Sequence, residues 1–362
     1  MKKKKYVIAG AVSLAAAGIT KISRLINHGS KYNLNYLNTV KKVTDKIITF
    51  QKEEDGFYAI KNPEDKTLKI LQLSDLHIGG GYLSRHEDRL VFKTIYELVQ
   101  KHKPDLIVLT GDLVCSKPSI SMSRNNKNSL VQIVMLLERI GIPYAVTFGN
   151  KDSEVYATHS RNSLRKYLMK QNHCLMAWDG EDITGSSNYL IKIRDGKDNI
   201  TGILYFMDTN SYIYSGLKRK KYDSIHDDQV KWYEAQVKRF RSADGKIVPS
   251  CMFIHMPLPE YSEAWKKYSD GSSQVKFLGG KVSETISCPK LNSKMFDTVK
   301  KLGSTKAIFC GHDHLNNFSF LYKGIRLVCG KSLDYILYGK NISGHRGGTI
   351  LYMTSDGQIL TK

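Results

Sequence analysis

The feature that most constrains the fold is the alternation, from residue 67 onward, of short apolar runs with segments of helical periodicity. The runs at 68–74, 106–110 and 144–148 are apolar enough to be buried strands, and apolar side chains recur at helical spacing over 86–101 and 130–140. Strands separated by helices predict an open α/β sheet. The β-rich stretches in the middle and at the end of the chain predict a second sheet.

The rest of the chain continues this pattern. Strands are predicted at 188–193, 202–208, 251–254, 307–310, 318–322, 326–329 and 349–353, and a helix at 226–240. Residues 256–291 have two interpretations, a lid that shapes substrate choice or an ordinary surface excursion. Residues 208–210 are predicted to form a turn, with support of a nearby site as the alternative. We expect residues 67–362 to form one large domain with two sheets.

Polar side chains of one kind follow five of these strands at their carboxyl ends. They are Asp75 with His77, Asp112, Asn150, His255, and His312 with His314. In open α/β sheets ligands bind in the crevice outside the carboxyl ends of the strands, so residues far apart in sequence can meet there. A glycine precedes Asp112, Asn150 and His312, and it permits a sharp turn and a close backbone approach. One such motif is weak, but five in one chain predict a shared site.

The chemistry of these side chains predicts two metal ions. Four histidines, two aspartates and one asparagine exceed the four ligands that close a structural zinc site. Shared between two ions with one bridging carboxylate, they give each ion about four protein ligands and leave open positions. Imidazole with carboxylate suits divalent or trivalent Mn, Fe or Zn. Two ions about 3.5–4 Å apart are the arrangement for in-line displacement at phosphorus, which predicts a phosphorylated substrate.

The order and spacing of the five blocks resemble those of the calcineurin-like metallophosphoesterases, over residues 67 to 355. Finer features resemble the purple-acid-phosphatase-like branch that lacks an N-terminal fibronectin-like domain. These are the block 255–261, the helix with Asp228 and Trp232, the block 311–316 and the late His345-Arg346-Gly347. The resemblance implies a four-layer α/β/β/α sandwich of two mixed sheets.

The resemblance also implies a distribution of ligands. By position, one metal would be held by Asp75, His77, Asp112 and His314, and the other by Asp112, Asn150, His255 and His312, with Asp112 bridging. The catalytic residues it implies are Asp112, Asn150, Lys151 and His255. The tyrosine of the coloured iron sites is missing beside the second motif, where Leu113 and Val114 stand. A purple tyrosinate–iron site is therefore not expected.

Lys151 is the main departure from the family pattern, which has a histidine there to contact the substrate and protonate the leaving group. A lysine with its reference pKa of about 10.4 holds its charge but releases a proton poorly at neutral pH. It can still stabilise a developing oxyanion. We therefore expect low activity on esters with poor leaving groups and retained activity on activated aryl phosphates. His159 is the nearest downstream acid, and by default it is a surface residue.

The leading hypothesis is a phosphoesterase in which a hydroxide bridging two metal ions attacks phosphorus in line and the leaving oxygen departs toward Lys151. A phosphomonoesterase is favoured by the branch resemblance, and a phosphodiesterase is the runner-up. An impaired enzyme that binds a polyanion is a hypothesis of another class, motivated by Lys151. A nuclease is a third, because the formal net charge is +21.

The positive charge indicates attraction to polyanions and says nothing about fold. Disorder, collagen and coiled coil are excluded, because the chain has no charge block that is long enough and no sustained repeat. No specific nucleic-acid motif is present, and the basic runs at 218–221 and 266–267 are by themselves typical of solvated faces. We expect the charge to help an anionic substrate at an anionic membrane or cell-wall surface.

The N-terminus has the pattern of a membrane-directing segment. Lys2–Lys5 precede the uncharged apolar run 6–19, which contains the small residues Ala15 and Ala17. Residues 1–26 are predicted to be a signal peptide or an N-terminal membrane anchor, followed by a basic stalk or lead-in at 27–66. The catalytic domain would then lie outside the cytoplasm, secreted or membrane-anchored. The alternative is a basic amphipathic helix on a membrane surface, with a cytoplasmic protein.

Overall fold

A computed structural model describes residues 31–43, 49–62, 67–178, 182–215, 218–242, 244–339, 344–354 and 358–361. The strands are β1 (Phe50–Lys52), β2 (Tyr58–Lys61), β3 (Leu68–Leu73), β4 (Leu106–Thr110), β5 (Tyr144–Thr147), β6 (Tyr189–Arg194), β7 (Ile200–Phe206), β8 (Tyr212–Ser215), β9 (Lys218–Tyr222), β10 (Ser250–Phe253), β11 (Val275–Lys281), β12 (Thr305–Cys310), β13 (Asn317–Tyr322), β14 (Ile325–Cys329), β15 (Thr349–Met353) and β16 (Ile359–Thr361). The helices are α1 (Arg85–His102), α2 (Pro118–Ser121), α3 (Asn126–Ile140), α4 (Arg161–Leu168), α5 (Asp227–Arg239), α6 (Pro259–Ser269) and α7 (Met295–Leu302). Residues 31–37, before the first strand, are also helical.

Two large mixed sheets form the centre of the fold. One has nine strands in the order β1-β2-β6-β7-β10-β12-β14-β13-β11, and the other has five in the order β16-β15-β3-β4-β5. Parallel pairing runs through β7, β10, β12 and β14 in the first sheet and through β3, β4 and β5 in the second. Antiparallel strands complete both sheets. The strands β8 and β9 form a separate hairpin.

The two sheets face each other and are joined by buried polar contacts as well as by apolar packing. Gln72 on β3 donates from Nε2 to the carbonyl of Cys310 on β12 at 2.9 Å. Tyr189 on β6 donates from its hydroxyl to the carbonyl of Val146 on β5 at 2.8 Å. The predicted α/β sandwich of two mixed sheets is confirmed.

Most predicted strands and helices are present, with bounds that move by one or two residues. The helix predicted from residue 130 begins earlier, at Asn126, because the side chain of Asn125 caps it by accepting from the backbone N–H of Asn128. The segment 256–291 contains α6 and the edge strand β11, which pairs with β13, and its role as a lid or a surface excursion stays a prediction. The hairpin of β8 and β9 was not predicted from the sequence.

The strands β1 and β2 fall within the predicted lead-in and join the nine-stranded sheet, where β2 pairs with β6 in parallel. An ionic cluster fixes them. Lys192 on β6 is 1% exposed and its ammonium contacts the carboxylates of Glu53 and Asp55, the latter at 2.6 Å. Arg194 pairs with Glu53 at 2.7 Å. The division of the chain at residues 26 and 66 stays a prediction.

The membrane-directing segment predicted at 1–26 lies outside the described residues. Within the part of the chain that the structure describes, none of the helices combines the length and the apolarity that crossing a membrane requires.

Candidate metal centre

Five strand ends bring the predicted side chains to one edge of the two sheets. Asp75 and His77 follow β3, Asp112 follows β4, Asn150 follows β5, His255 follows β10, and His312 and His314 follow β12. His312 is half-buried and the other six side chains are buried. They form two groups that meet at Asp112.

The first group consists of Asp75, His77 and His314, whose candidate ligand atoms all lie within 4.8 Å of one another. Nε2 of His77 and Nε2 of His314 are 3.2 Å apart. Oδ1 of Asp75 lies 3.9 Å from Nε2 of His77 and 3.7 Å from Nε2 of His314. Three electron-pair donors therefore surround one point.

The second group consists of Asp112, His255 and His312, again within 4.8 Å of one another. Nε2 of His255 lies 3.3 Å from Oδ1 of Asp112 and 3.3 Å from Nδ1 of His312. Asn150 adds its carbonyl oxygen, 3.1 Å from Nε2 of His255. The other carboxylate oxygen of Asp112, Oδ2, faces the first group at 3.8 Å from Nε2 of His77. Asp112 thus presents one oxygen to each group.

Four of the seven candidate ligands have a strained backbone with positive φ. Asp75, His77, Asp112 and His312 have φ of 54°, 51°, 48° and 76°, in the left-handed region that residues other than glycine seldom adopt. Such strain is concentrated at functional sites, where the surrounding structure holds it.

The glycines before these residues allow the strand ends to approach closely. A Cβ on Gly149 would lie 2.3 Å from Oδ1 of Asp112, and one on Gly111 would lie 2.6 Å from Nδ1 of His255. A Cβ on Gly311 would lie 1.8 Å from Oγ of Ser74. The sequence argument for close approach at these glycines is borne out.

The donor set fits two metal ions. Oδ1 of Asp75 is buried without a hydrogen-bond partner among the described residues. With metal–ligand bonds of about 2.1 Å, ligand atoms of a tetrahedral site lie about 3.4 Å apart. The separations between 3.2 and 3.9 Å in the first group match that value. The seven side chains would hold the ions as the resemblance implies, and their role as metal ligands stays a prediction.

Hydrogen bonds and burial prepare the imidazoles to donate lone pairs. Nδ1 of His255 lies 2.8 Å from the carbonyl of Thr110, and Nδ1 of His314 lies 3.1 Å from Oδ2 of Asp334. Because Nδ1 carries the proton in both contacts, Nε2 is free to face the centre. Burial lowers the pKa of His77 and of His312, which keeps both imidazoles neutral.

Asp112 and the histidines of the second group shift one another's pKa values. Burial acts to lower the pKa of His255, but the neighbouring Asp112 carboxylate outweighs it and raises that pKa to about 9. Burial acts to raise the pKa of Asp112, and the histidines around it lower it below its ordinary value. Asp112 therefore stays a carboxylate, and its negative charge favours a cation beside it.

Asp152 and Asp334, which the sequence analysis did not assign, hold the loops of the site. Asp152 accepts from the backbone N–H groups of Leu113 at 2.8 Å and Gly149 at 2.7 Å, which ties the loops after β4 and β5 together. Asp334 accepts from the N–H groups of residues 336–338 while it contacts His314. Neither carboxylate directly follows a strand, so the pattern of strand ends did not reveal them.

Asp208 supports the site as well as forming a turn. Its carboxylate accepts from Arg161 at 2.5 Å, and the same guanidinium donates to the carbonyls of Gly149 at 2.7 Å and Asn210 at 2.9 Å. Asn210 has φ of 61° and donates its N–H to Asp208. The structure therefore combines the two roles that the sequence left as alternatives.

Lys151 lies beside Asn150 at the edge of the centre. Its backbone N–H donates to Oδ1 of Asp112 at 2.6 Å, and its ammonium contacts Glu154 at 2.9 Å and the Tyr212 hydroxyl at 3.0 Å. Burial acts to lower the pKa of Lys151, but the hydrogen bonds to Tyr212 and Glu154 outweigh it and raise the pKa above its ordinary value. Lys151 is therefore a permanent cation at this position.

Other side chains border the centre or lie away from it. The ring of Tyr338 is 4.6 Å from that of His314, and the ring of Tyr222 is 5.0 Å from that of His312. His159 is not brought among the ligands: its Nδ1 contacts the hydroxyl of its neighbour Thr158. The structure therefore gives no support to His159 as the acid.

Comparisons with known proteins agree with this geometry. The family model of the calcineurin-like phosphoesterases matches residues 68–316. The "Probable inactive purple acid phosphatase 28" of Arabidopsis thaliana is 26% identical over 348 residues, covering 88% of this chain and 80% of that protein. The yeast (Saccharomyces cerevisiae) "Phosphatase DCR2" is 29% identical over 292 residues, covering 76% of this chain and 49% of that protein.

A solved structure shares the fold. The dimetal phosphatase from Danio rerio superimposes with a TM-score of 0.52 at 13% identity, covering 81% of this chain and 98% of that one. The family match extends over more than half of the chain and includes all five strand ends. This chain belongs to the calcineurin-like phosphoesterase family and is a metal-dependent phosphoric ester hydrolase.

Proposed function

We propose that this protein is a phosphomonoesterase with a dinuclear metal centre. The observation that carries the proposal is the pair of buried donor groups that share the two carboxylate oxygens of Asp112. In the reaction, water adds to phosphorus and the bond from phosphorus to the ester oxygen breaks, giving an alcohol and inorganic phosphate. When bound, two metal ions would activate the water and neutralise phosphoryl oxygens.

The protein's own residues prepare this reaction. Asp112, with one oxygen toward each group, fixes the separation of the two groups. Asn150 and His255 place an amide oxygen and an imidazole nitrogen, 3.1 Å apart, at the second group. Lys151 supplies a fixed positive charge next to Asn150 that stabilises charge developing on the leaving oxygen.

The permanent charge on Lys151 supports a monoester as substrate. A monoester phosphoryl group carries two negative charges near neutral pH and a diester carries one, so an added cation favours the monoester more strongly. Glu154 neutralises part of this charge, which makes the preference one of degree.

Parallel assays on 4-nitrophenyl phosphate and bis(4-nitrophenyl) phosphate test the proposal in the protein loaded with Mn, Fe or Zn. We expect kcat/KM for the monoester to exceed that for the diester by about tenfold or more. The Asp112→Asn variant, which removes the shared charge, should lose activity on both. A higher kcat/KM for the diester would identify a phosphodiesterase instead.

An impaired enzyme that holds a polyanion is the second candidate. Lys151 in place of the family histidine favours it, and some of the plant relatives carry the word inactive in their names. The retention of all seven candidate ligand side chains, aimed at two points, argues against it. Tight binding of a polyanion without turnover of any ester by the metal-loaded protein would favour this candidate.

A further inference from the structure

A cavity of about 330 Å³ is lined by Lys151, the residue that follows the candidate ligand Asn150. The backbone N–H of Lys151 donates to Asp112. Leu337 lines it as well, and the backbone N–H of Leu337 donates to Asp334, which contacts His314. Lining residues are therefore joined by hydrogen bonds to Asp112 of the second group and, through Asp334, to His314 of the first.

The walls combine apolar surface with positive charge. Ile120, Val155 and Leu337 supply apolar side chains, of which Val155 is 59% exposed at the mouth. The lining residues include two lysines, Lys117 and Lys151, and only one carboxylate, that of Glu154. Glu154 is already engaged, at 2.9 Å from the ammonium of Lys151. The cavity thus has an excess of positive charge.

Lys117 is the lining lysine that has no ion-pair partner among the described residues. It is exposed and lies at the N-terminal cap of α2. Tyr214 on β8 is also among the lining residues.

The size of the cavity limits its occupant. Small-molecule sites range from about 300 to 1,000 Å³, so this cavity is at the small end of that range. A cavity of this volume has room for one small organic group, and Ile120 and Leu337 offer it apolar surface.

We propose that this cavity is the leaving-group subsite, and that it selects phosphomonoesters whose alcohol carries a further negative charge, which Lys117 binds. The inference rests on the proposed function and goes beyond it by naming the substrate class. A carboxylate or a second phosphate on the alcohol would satisfy the same chemistry.

The test compares two nearly isosteric esters, carboxyphenyl phosphate and carbamoylphenyl phosphate, as meta and para isomers, with metal-loaded protein. We expect the wild type to prefer the carboxylate ester by about tenfold in kcat/KM at low ionic strength, and the preference to shrink as salt is added. Lys117→Met should lower this ratio to about two or less, and Lys117→Arg should keep it. Lys101→Met, which removes an exposed lysine of α1, is the control for the change in net charge and should keep the ratio.

The outcomes separate the two proposals. The ratio is measured on one preparation, so partial misfolding of a variant lowers both rates and leaves the ratio unchanged. Equal turnover of the two esters by the wild type, or an unchanged ratio in Lys117→Met, would overturn the subsite and leave the phosphomonoesterase standing. Absence of turnover of every ester by the metal-loaded wild type would overturn the proposed function and this inference with it.

Discussion

Lys151 differs from the family histidine in what it can do with a proton. Its ammonium is held by Glu154 and Tyr212, and its pKa lies above the ordinary lysine value. A group that stays charged stabilises a departing oxyanion but does not protonate it efficiently. We therefore expect Lys151 to favour esters whose leaving groups need no proton.

Replacing Lys151 with histidine should therefore change substrate range. We expect Lys151→His to raise kcat for an alkyl phosphate by about tenfold or more relative to 4-nitrophenyl phosphate, because general acid catalysis contributes about 10²–10⁴-fold where a proton is needed. Steady-state rates on both esters measure the ratio. Lys151→Met is the control, and it should lower both rates. An unchanged alkyl phosphate rate in Lys151→His would show that this position is not the acid site.

Asp334 acts through His314 and is a positioning residue. Its carboxylate holds Nδ1 of His314 at 3.1 Å and so orients Nε2 toward Asp75 and His77. We expect Asp334→Asn to weaken metal binding at the first group by about 10–100-fold, as outer partners of metal ligands commonly do. A metal titration monitored by isothermal calorimetry distinguishes the two sites, and the second site should keep its affinity. If both sites of this variant bind metal with wild-type affinity, Asp334 does not position His314 for metal binding.

At the scale of elements, the attachment of β1 and β2 to β6 involves an ion pair between a buried lysine and two carboxylates. Lys192 is 1% exposed and faces Glu53 and Asp55. Removing one side of a buried ion pair costs about 3–5 kcal/mol, whereas replacing the whole group with apolar residues is often neutral. The cluster thus specifies where the N-terminal strands attach.

The double variant Glu53→Gln with Asp55→Asn leaves Lys192 without its carboxylates. We expect it to lower the free energy of unfolding by about 3 kcal/mol, from the cost of an uncompensated buried charge. Adding Lys192→Met should recover most of that loss. Urea unfolding of the three proteins gives the comparison, and a triple variant no more stable than the double would contradict the assignment.

The same cluster predicts a pH dependence. The hydrogen bond from Arg194, opposed by burial and aided by Lys192, lowers the pKa of Glu53 to about 2. Because the pKa in the folded state is below the unfolded value, the stability that Glu53 contributes is present above about pH 4.5 and is lost as the pH falls toward 2. Acid unfolding of wild type and Glu53→Gln should show a smaller loss in the variant over this window. If the two proteins lose stability equally over this pH range, Glu53 does not contribute to the pH dependence.

At the scale of the whole molecule, the sequence predicts those parts of the site that directly follow buried strands. Asp75, Asp112 and His255 could be found because each is local to a strand whose apolar run is visible. Asp334 could not, because it acts on His314 from a loop after β14 and no local pattern links the two. The strand β9 could not be predicted because its basic run KRKKY lacks the alternation of apolar and polar residues that marks a strand.

Strands that depend on partners far along the chain were also missed. The edge strand β11 is mostly exposed and contains Gly279 and Gly280, so its sequence resembles a loop, yet its pairing with β13 makes it a strand. The short strands β1 and β2 form because β6 offers them a pairing edge and Lys192 offers them a charge. Tertiary context decided these elements.

The most direct test of the central claim is a titration of the metal-free protein with Mn²⁺ that follows bound metal per chain and kcat/KM for 4-nitrophenyl phosphate together. The two donor groups that share Asp112 predict two bound ions, with activity that appears as the second ion binds and is lost on chelation. Activity that is already maximal with one bound ion, or that is absent with two, would contradict a dinuclear phosphoesterase.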